Sequence, residues 1–131
     1  MSLAMSLDSD HKLREAQDMY WHAAQVGPPA KALMCLAYLY SGSKSTECDA
    51  CREYFVENPD LLDPDRAESC ALSALEADGG REIGLPPTAA VVANQIRRPD
   101  AIRAKLEGLR DAATEDKLIA RYEKALRLLE K

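Results

Sequence analysis

The sequence predicts an all-α protein: about six helices arranged as antiparallel helix-turn-helix pairs, in a short α-solenoid-like stack or an irregular helical bundle. Three observations lead there. Ala, Leu and Glu abound while the chain holds five Tyr, one Trp and one Phe, a bias toward helix over sheet. No segment alternates apolar and polar residues long enough to read as a strand. Between Ala16 and Gly42, small residues (Ala16, Ala23, Ala32, Ala37) recur at helical spacing beside large ones (Tyr20, Trp21, Leu36, Tyr40), with one break at Gly27-Pro28-Pro29. Small-against-large packing lets two antiparallel helices approach closely, as the units of helical repeat proteins do.

Each element has a local reason. A first helix is expected from Ser9 to Val26, with Leu13, Ala16, Tyr20, Ala23 and Val26 on one stripe, and Gly27 stops it. Pro28-Pro29 suits the start of a second helix, Ala30 to Tyr40, which is apolar nearly all round and should be the most buried. Ser41-Gly42-Ser43 reads as a loop. Thr46 is placed to cap a short third helix, Glu47 to Asn58, with Asp49 completing a short-armed capping box. Cys51, Tyr54 and Phe55 share its inner face, and Pro59 ends it. Asp63-Pro64 opens a fourth helix running to Asp78, burying Ala67, Cys70 or Ala71, and Ala74 with Leu75, and Gly79-Gly80 ends it. Residues 81–85 read as connector. Pro86-Pro87 then opens a fifth helix, Thr88 to Arg97. Beyond Pro99-Asp100, the stripe Ile102, Leu106, Leu109 is out of phase with Leu118, Tyr122, Ala125, Leu126, Leu129. A turn capped by Thr114 is expected between them, a single kinked helix being the alternative.

One domain is expected over residues 4–131, large enough to bury a core without disulfides. Met1-Ser2-Leu3 repeats as Met5-Ser6-Leu7, and residues 1–3 read as an expression leader. No charged stretch followed by an apolar run marks a signal peptide, and the longest apolar run, Ala32 to Tyr40, is too short to span a bilayer. A cytoplasmic protein that does not engage membranes is therefore expected.

The net charge of −5 speaks against nucleic-acid binding, which needs a basic footprint. Its distribution says more. Residues 1–96 carry seven Lys/Arg and fifteen Asp/Glu, and residues 97–131 carry ten and seven, so the halves balance at −8 and +3. One reading is an acidic surface on which a basic tail folds back; the other is a docking patch for a basic protein partner.

No residue stands out as catalytic, cofactor-binding or metal-ligating, and no cofactor is expected. No G-x-S-x-G, P-loop or other phosphate cradle occurs. Cys48-Asp49-Ala50-Cys51 is the one motif with metal or redox character. Two thiolates supply half of a structural zinc site, and Cys35, Cys70, His11 and His22 fall at no ligand spacing that completes it. Packing is the competing reading: Cys51 turned inward with Tyr54 and Phe55, and Cys48 partly exposed. Trp21, adjacent to Tyr20, serves either as an exposed anchor for a partner or as a cover for the second helix.

Residues 16–42 resemble the Sel-like branch of the tetratricopeptide repeats. Ala23-Ala24-Gln25-Val26-Gly27 matches the end of that family's first helix, and Ala32, Leu36, Tyr40 and Gly42 match its second. Ala37 stands where the family has glycine, and Pro28-Pro29 lengthens the turn. Residues 65–78 match the first helix of another unit more weakly. Shifting 14–26 by 51 positions lays Ala16 on Ala67, Trp21 on Leu72 and Ala23 on Ala74, and the proline pairs match at a shift of 58. The resemblance implies a non-catalytic adaptor that binds another protein. With fewer than three recognisable repeats, it also implies that the C-terminal helices cap the stack or that the chain self-associates. Some secreted members staple each helix pair with a disulfide; the cysteines here do not fall one per helix in a unit, and thiols are expected. The alternatives from other classes are a zinc- or redox-dependent regulator using Cys48 and Cys51, and an accessory subunit whose site forms only on oligomerisation.

Overall fold

A computed structural model describes residues 13–46, 49–78 and 83–129, and among these it is all-helical with no strand. Seven α-helices follow one another: α1 (Leu13–Val26), α2 (Ala30–Tyr40), α3 (Asp49–Glu57), α4 (Pro64–Asp78), α5 (Leu85–Ile96), α6 (Pro99–Ala112) and α7 (Asp116–Leu129). Two 3-10 turns, Ser43–Thr46 and Pro59–Leu61, flank α3.

The order of packing defines the architecture. The hairpins α1–α2, α4–α5 and α6–α7 each close on themselves. The most extensive contact in the molecule joins α2 to α4, and α2 also touches α5; α4 and α5 in turn both touch α6, and α5 touches α7. No substantial contact joins α1 to α6 or α7. The middle hairpin therefore lies between the other two.

The α2–α4 seam is dense because both helices offer small side chains. Ala32, Leu36, Ala37 and Leu39 of α2 are buried, as are Ala67, Ala71, Ala74 and Leu75 of α4. Alanines at such a seam let backbones approach closely, and enlarging one, as in Ala71→Leu, would cost about 1–3 kcal/mol in overpacking. The expected core positions of α4 are all buried, Cys70 included.

The first stripe is shorter than expected. Leu13, Ala16 and Tyr20 are buried and Ala23 is half-buried, but Val26 is 70% exposed. Steps of three and four that average below 3.6 residues drift around the helix, so the last member of the set falls off the packed face.

Two helix starts also differ from expectation. The fifth helix begins at Leu85, which is buried, so Pro86 and Pro87 lie within its first turn rather than ahead of it. The first intrahelical bond runs from Thr88 N–H to Gly84 O (3.1 Å), so neither proline displaces a donor the helix needs. Between α6 and α7, Ala113 is extended, which makes two helices rather than one kinked helix. Glu115, not Thr114, occupies the cap position, because its carbonyl receives both Leu118 N–H and Ile119 N–H at 3.1 Å.

Two left-handed residues end helices. Gly42 (φ 81°) follows the α2 cap, where the left-handed backbone favours glycine and a Cβ would also crowd Leu62 Cδ2 at 2.6 Å. Arg97 (φ 59°) ends α5, where Arg98 N–H reaches Ala93 O (3.1 Å) in a Schellman-type closure made without glycine. Ser43–Thr46, expected as loop in part, is a 3-10 turn; the Thr46 side chain, residues 47–48 and Ser9 to Lys12 lie outside the described residues.

Candidate interaction surface

Two features carry the chemistry of the surface: a polar hub where α1, α2 and α4 meet, and an apolar groove beside α6.

The hub is built on Tyr40, at the end of α2. The apolar periodicity of α2 turns its ring inward, leaving the residue 2% exposed, while the hydroxyl emerges between α1 and α4. Three donors converge on that oxygen: Gln17 Nε2 (2.7 Å), Trp21 Nε1 (2.9 Å) and Arg66 Nη1 (3.4 Å). The Arg66 guanidinium also lies 5.7 Å from the centre of the Tyr40 ring, within cation–π range. The backbone carbonyl of Tyr40 accepts Asp63 N–H (3.0 Å), and Asp63 caps α4 through Oδ1 to Arg66 N–H (3.1 Å). A phenolic oxygen has two lone pairs and a proton of its own. Turning the Gln17 amide by half a rotation would let its Oε1 take that proton, leaving the lone pairs for Trp21 and Arg66. Trp21 is half-buried against α2 by this bond, which fits a covering role; Tyr20, its neighbour, is fully inside.

The segment 58–66 ties this hub to α1 on one side and to the α5–α6 turn on the other. Arg14 Nη2 of α1 donates to Asn58 Oδ1 (3.1 Å) and to both oxygens of Asp60 (2.8 and 3.0 Å). That bond to Asp60 raises the Arg14 guanidinium above its ordinary range and holds the Asp60 carboxyl below its own. Tyr54 Oη receives the Arg14 backbone N–H (3.2 Å), one of the donors a helix start leaves unpaired. At the other end, Arg98 of the α5–α6 turn pairs with Asp65 and Lys105 of α6 with Glu76. These two bridges run from the basic C-terminal stretch to the acidic middle, the fold-back read from the charge distribution.

The groove lies between the start of α2, the end of α4 and the start of α6. Its floor is Pro29, Leu33 and Leu72, its walls are Ala77, Ala101 and Ala104, and the Glu76–Lys105 pair stands at its rim. It is shallow, open and mostly apolar. Along α6, Ala104, Gly108 and Ala112 continue as an exposed stripe at spacings of four, and a Cβ on Gly108 would meet nothing within 4 Å. Packing within the chain gives no reason for glycine there, although glycine in a helix interior costs about 1 kcal/mol relative to alanine. Sequence reasoning missed the groove. Its floor residues look like ordinary core, and only the spacing Ala104-x-x-x-Gly108-x-x-x-Ala112 hinted at an open small-residue face.

The cysteine motif divides. Cys51 is 2% exposed and Phe55 4%, both turned inward, and Tyr54 is half-buried; Cys48 lies outside the described residues. No disulfide joins Cys35, Cys51 or Cys70. Burial pushes the Cys70 thiol up to about 11. Among the described residues no three His, Cys, Asp or Glu side chains converge as a metal site would require. His22 is exposed on α1, and His11 lies outside the described residues. No described helix is long and apolar enough to cross a membrane.

The chain matches no protein-family model. No curated protein and no solved structure is significantly similar to it.

Proposed function

We propose that this protein is a non-catalytic interaction module of helical-repeat character, with three hairpins stacked to present a surface to another protein. One observation carries the reading: each hairpin packs on its neighbour in chain order, and the first and last do not substantially touch. A closed bundle would bring its ends together; a stack leaves its side faces free for a partner. The Sel-like resemblance of residues 16–42 points the same way, since Ala32, Leu36 and Tyr40, three of its matching positions, are buried on α2. On this reading the 41–63 segment, with α3 and the two 3-10 turns, is an insertion between the first and second units.

The partner surface is placed at the α2–α4–α6 groove. Its alanine walls and the exposed Gly108 admit the backbone of an incoming helix, with an apolar side chain seated on Leu33 and Leu72. A photo-crosslinking residue at Ala104, compared with one at exposed Val91 of α5, tests this in cell extract. The reading predicts a discrete adduct from Ala104 that Leu33→Glu abolishes, and none from Val91. Equal labelling from both positions, or an Ala104 adduct indifferent to Leu33→Glu, would refute it.

A further inference from the structure

The first and last helices of the stack turn oppositely charged faces outward. On α1 the buried stripe is Leu13, Ala16 and Tyr20, so the opposite side of the helix carries Glu15, Asp18, His22 and Gln25, all exposed. On α7 the buried stripe is Tyr122, Ala125, Leu126 and Leu129, so the opposite side carries Lys117, Ala120, Lys124 and Arg127, also all exposed. Among the described residues none of these charged groups makes a close ion pair, although Asp18 lies in the field of Arg14 one turn earlier. Beside α1 the surroundings add acid, whereas on α7 two acids sit at the margin of the basic face. Beside α1, α3 adds Glu53, Glu57 and the Asp49–Arg52 pair. On α7, Glu123 is the acidic residue on the flank and Asp116 sits at the helix start, where it complements the dipole.

The cations of residues 97–131 that fold back, Arg98 and Lys105, are consumed within the molecule. Lys117, Lys124 and Arg127 are not, and they sit on the helix that packs mainly on α5 and α6 among the described residues, at the far end from α1. A like-charged stripe on an exposed helix face repels itself unless an opposite charge answers it. On α1 two carboxylates, Glu15 and Asp18, offer the opposite charge, with Glu53 and Glu57 of α3 beside them.

We propose that the cationic face of α7 docks on the acidic face of α1 in a second copy of this chain, joining molecules head to tail. Such an interface is heterologous, so it leaves one unmatched end on each side and extends beyond a dimer. Being polar and exposed, it is weak and strongly screened by salt. The inference requires the stacking order of the hairpins but neither the groove nor a foreign partner, so its failure would leave the proposed function standing.

Sedimentation velocity over a concentration series tests it. At about 0.01 M salt the screening length is about 30 Å, and the weight-average mass should rise with concentration past that of a dimer. At about 1 M salt, where that length is about 3 Å, it should stay monomeric. Two doubly reversed variants, Glu15→Lys with Asp18→Lys and Lys117→Glu with Lys124→Glu, should each be monomeric at low salt with unchanged helix content. Mixed in equal amounts they should associate again. Both keep a net negative charge, so bulk attraction does not substitute for the interface. A wild-type chain that is monomeric at every concentration at low salt would overturn the proposal. So would association that stops at a dimer, that persists in high salt, or that the mixture of variants fails to restore. Should a variant lose its helix content, the salt and concentration dependence of the wild type decides alone.

Discussion

Replacing Tyr40 with phenylalanine removes one oxygen atom and keeps the ring that α2 buries. The cost comes from the donors left behind. Arg66 is 60% exposed and can turn to water, and Gln17 is only part-buried, so both lose little. Trp21 is different: its indole N–H is a donor only, half-buried against α2, and Tyr40 Oη at 2.9 Å is the acceptor it has. A donor stranded in a partly buried place costs about 1–3 kcal/mol, and the half-exposed setting puts Tyr40→Phe at about 1.5 kcal/mol. With a urea dependence of about 1.5 kcal/mol/M, the midpoint should fall by about 1 M without a change in slope. Trp21 is the chain's one tryptophan, so its fluorescence reports the transition directly, and far-UV circular dichroism reports the helices. In a double-mutant cycle with Trp21→Phe the two losses should overlap by about 0.5–1 kcal/mol. A Tyr40→Phe protein within about 0.3 kcal/mol of wild type, or strict additivity in the cycle, would show that the hub contributes no stability.

Three further outcomes follow from the structure. Arg97→Gly should stabilise the fold by about 1 kcal/mol, because glycine adopts the left-handed cap of α5 without the penalty of roughly 1–2 kcal/mol that a side chain carries; an unchanged or lowered urea midpoint would contradict this. Cys51→Ala should cost on the order of 1 kcal/mol or more through the cavity it leaves; a loss that a chelator reproduces in the wild-type protein would revive the zinc reading. Burial holds the Cys70 proton to about 11, above the unfolded value of 9.0, so the unfolded chain sheds it first. Stability should fall as pH rises from about 9 to 11, and Cys70→Ala should flatten that decline; identical pH profiles for the two proteins would refute the assignment.

What the sequence made legible follows its punctuation. The second helix, Ala30–Tyr40, and the fourth, Pro64–Asp78, have the expected bounds because glycine and proline fix them locally. Phase was legible as well: Ile102 and Leu106 cannot share a stripe with Tyr122 and Leu126 on one straight helix, and two helices result. The inward turn of Cys51 and Phe55 came from their four-residue spacing. Helix starts set by main-chain rather than side-chain bonds were not legible, which is why Pro86 and Pro87 lie inside α5 and Thr114 lies outside α7. The charge asymmetry was visible in the sequence, but not that Arg98 finds Asp65 and Lys105 finds Glu76 across about thirty residues. The same holds for the Tyr40 hub and the groove. Both arise where segments distant in sequence meet, and within one segment only the small-residue spacing of Ala104, Gly108 and Ala112 gives a trace of the groove.

The central claim is that three hairpins pack in series, with the α2–α4 seam holding the middle. Native-state hydrogen exchange at increasing denaturant tests it most directly. The amides of α2 and α4 should exchange slowest. Those of α6 and α7 should open together at a lower free energy and with a weaker denaturant dependence, because their loss exposes only the last interface of the stack. Exchange of all helices through one opening, with a common free energy and a common denaturant slope, would contradict it.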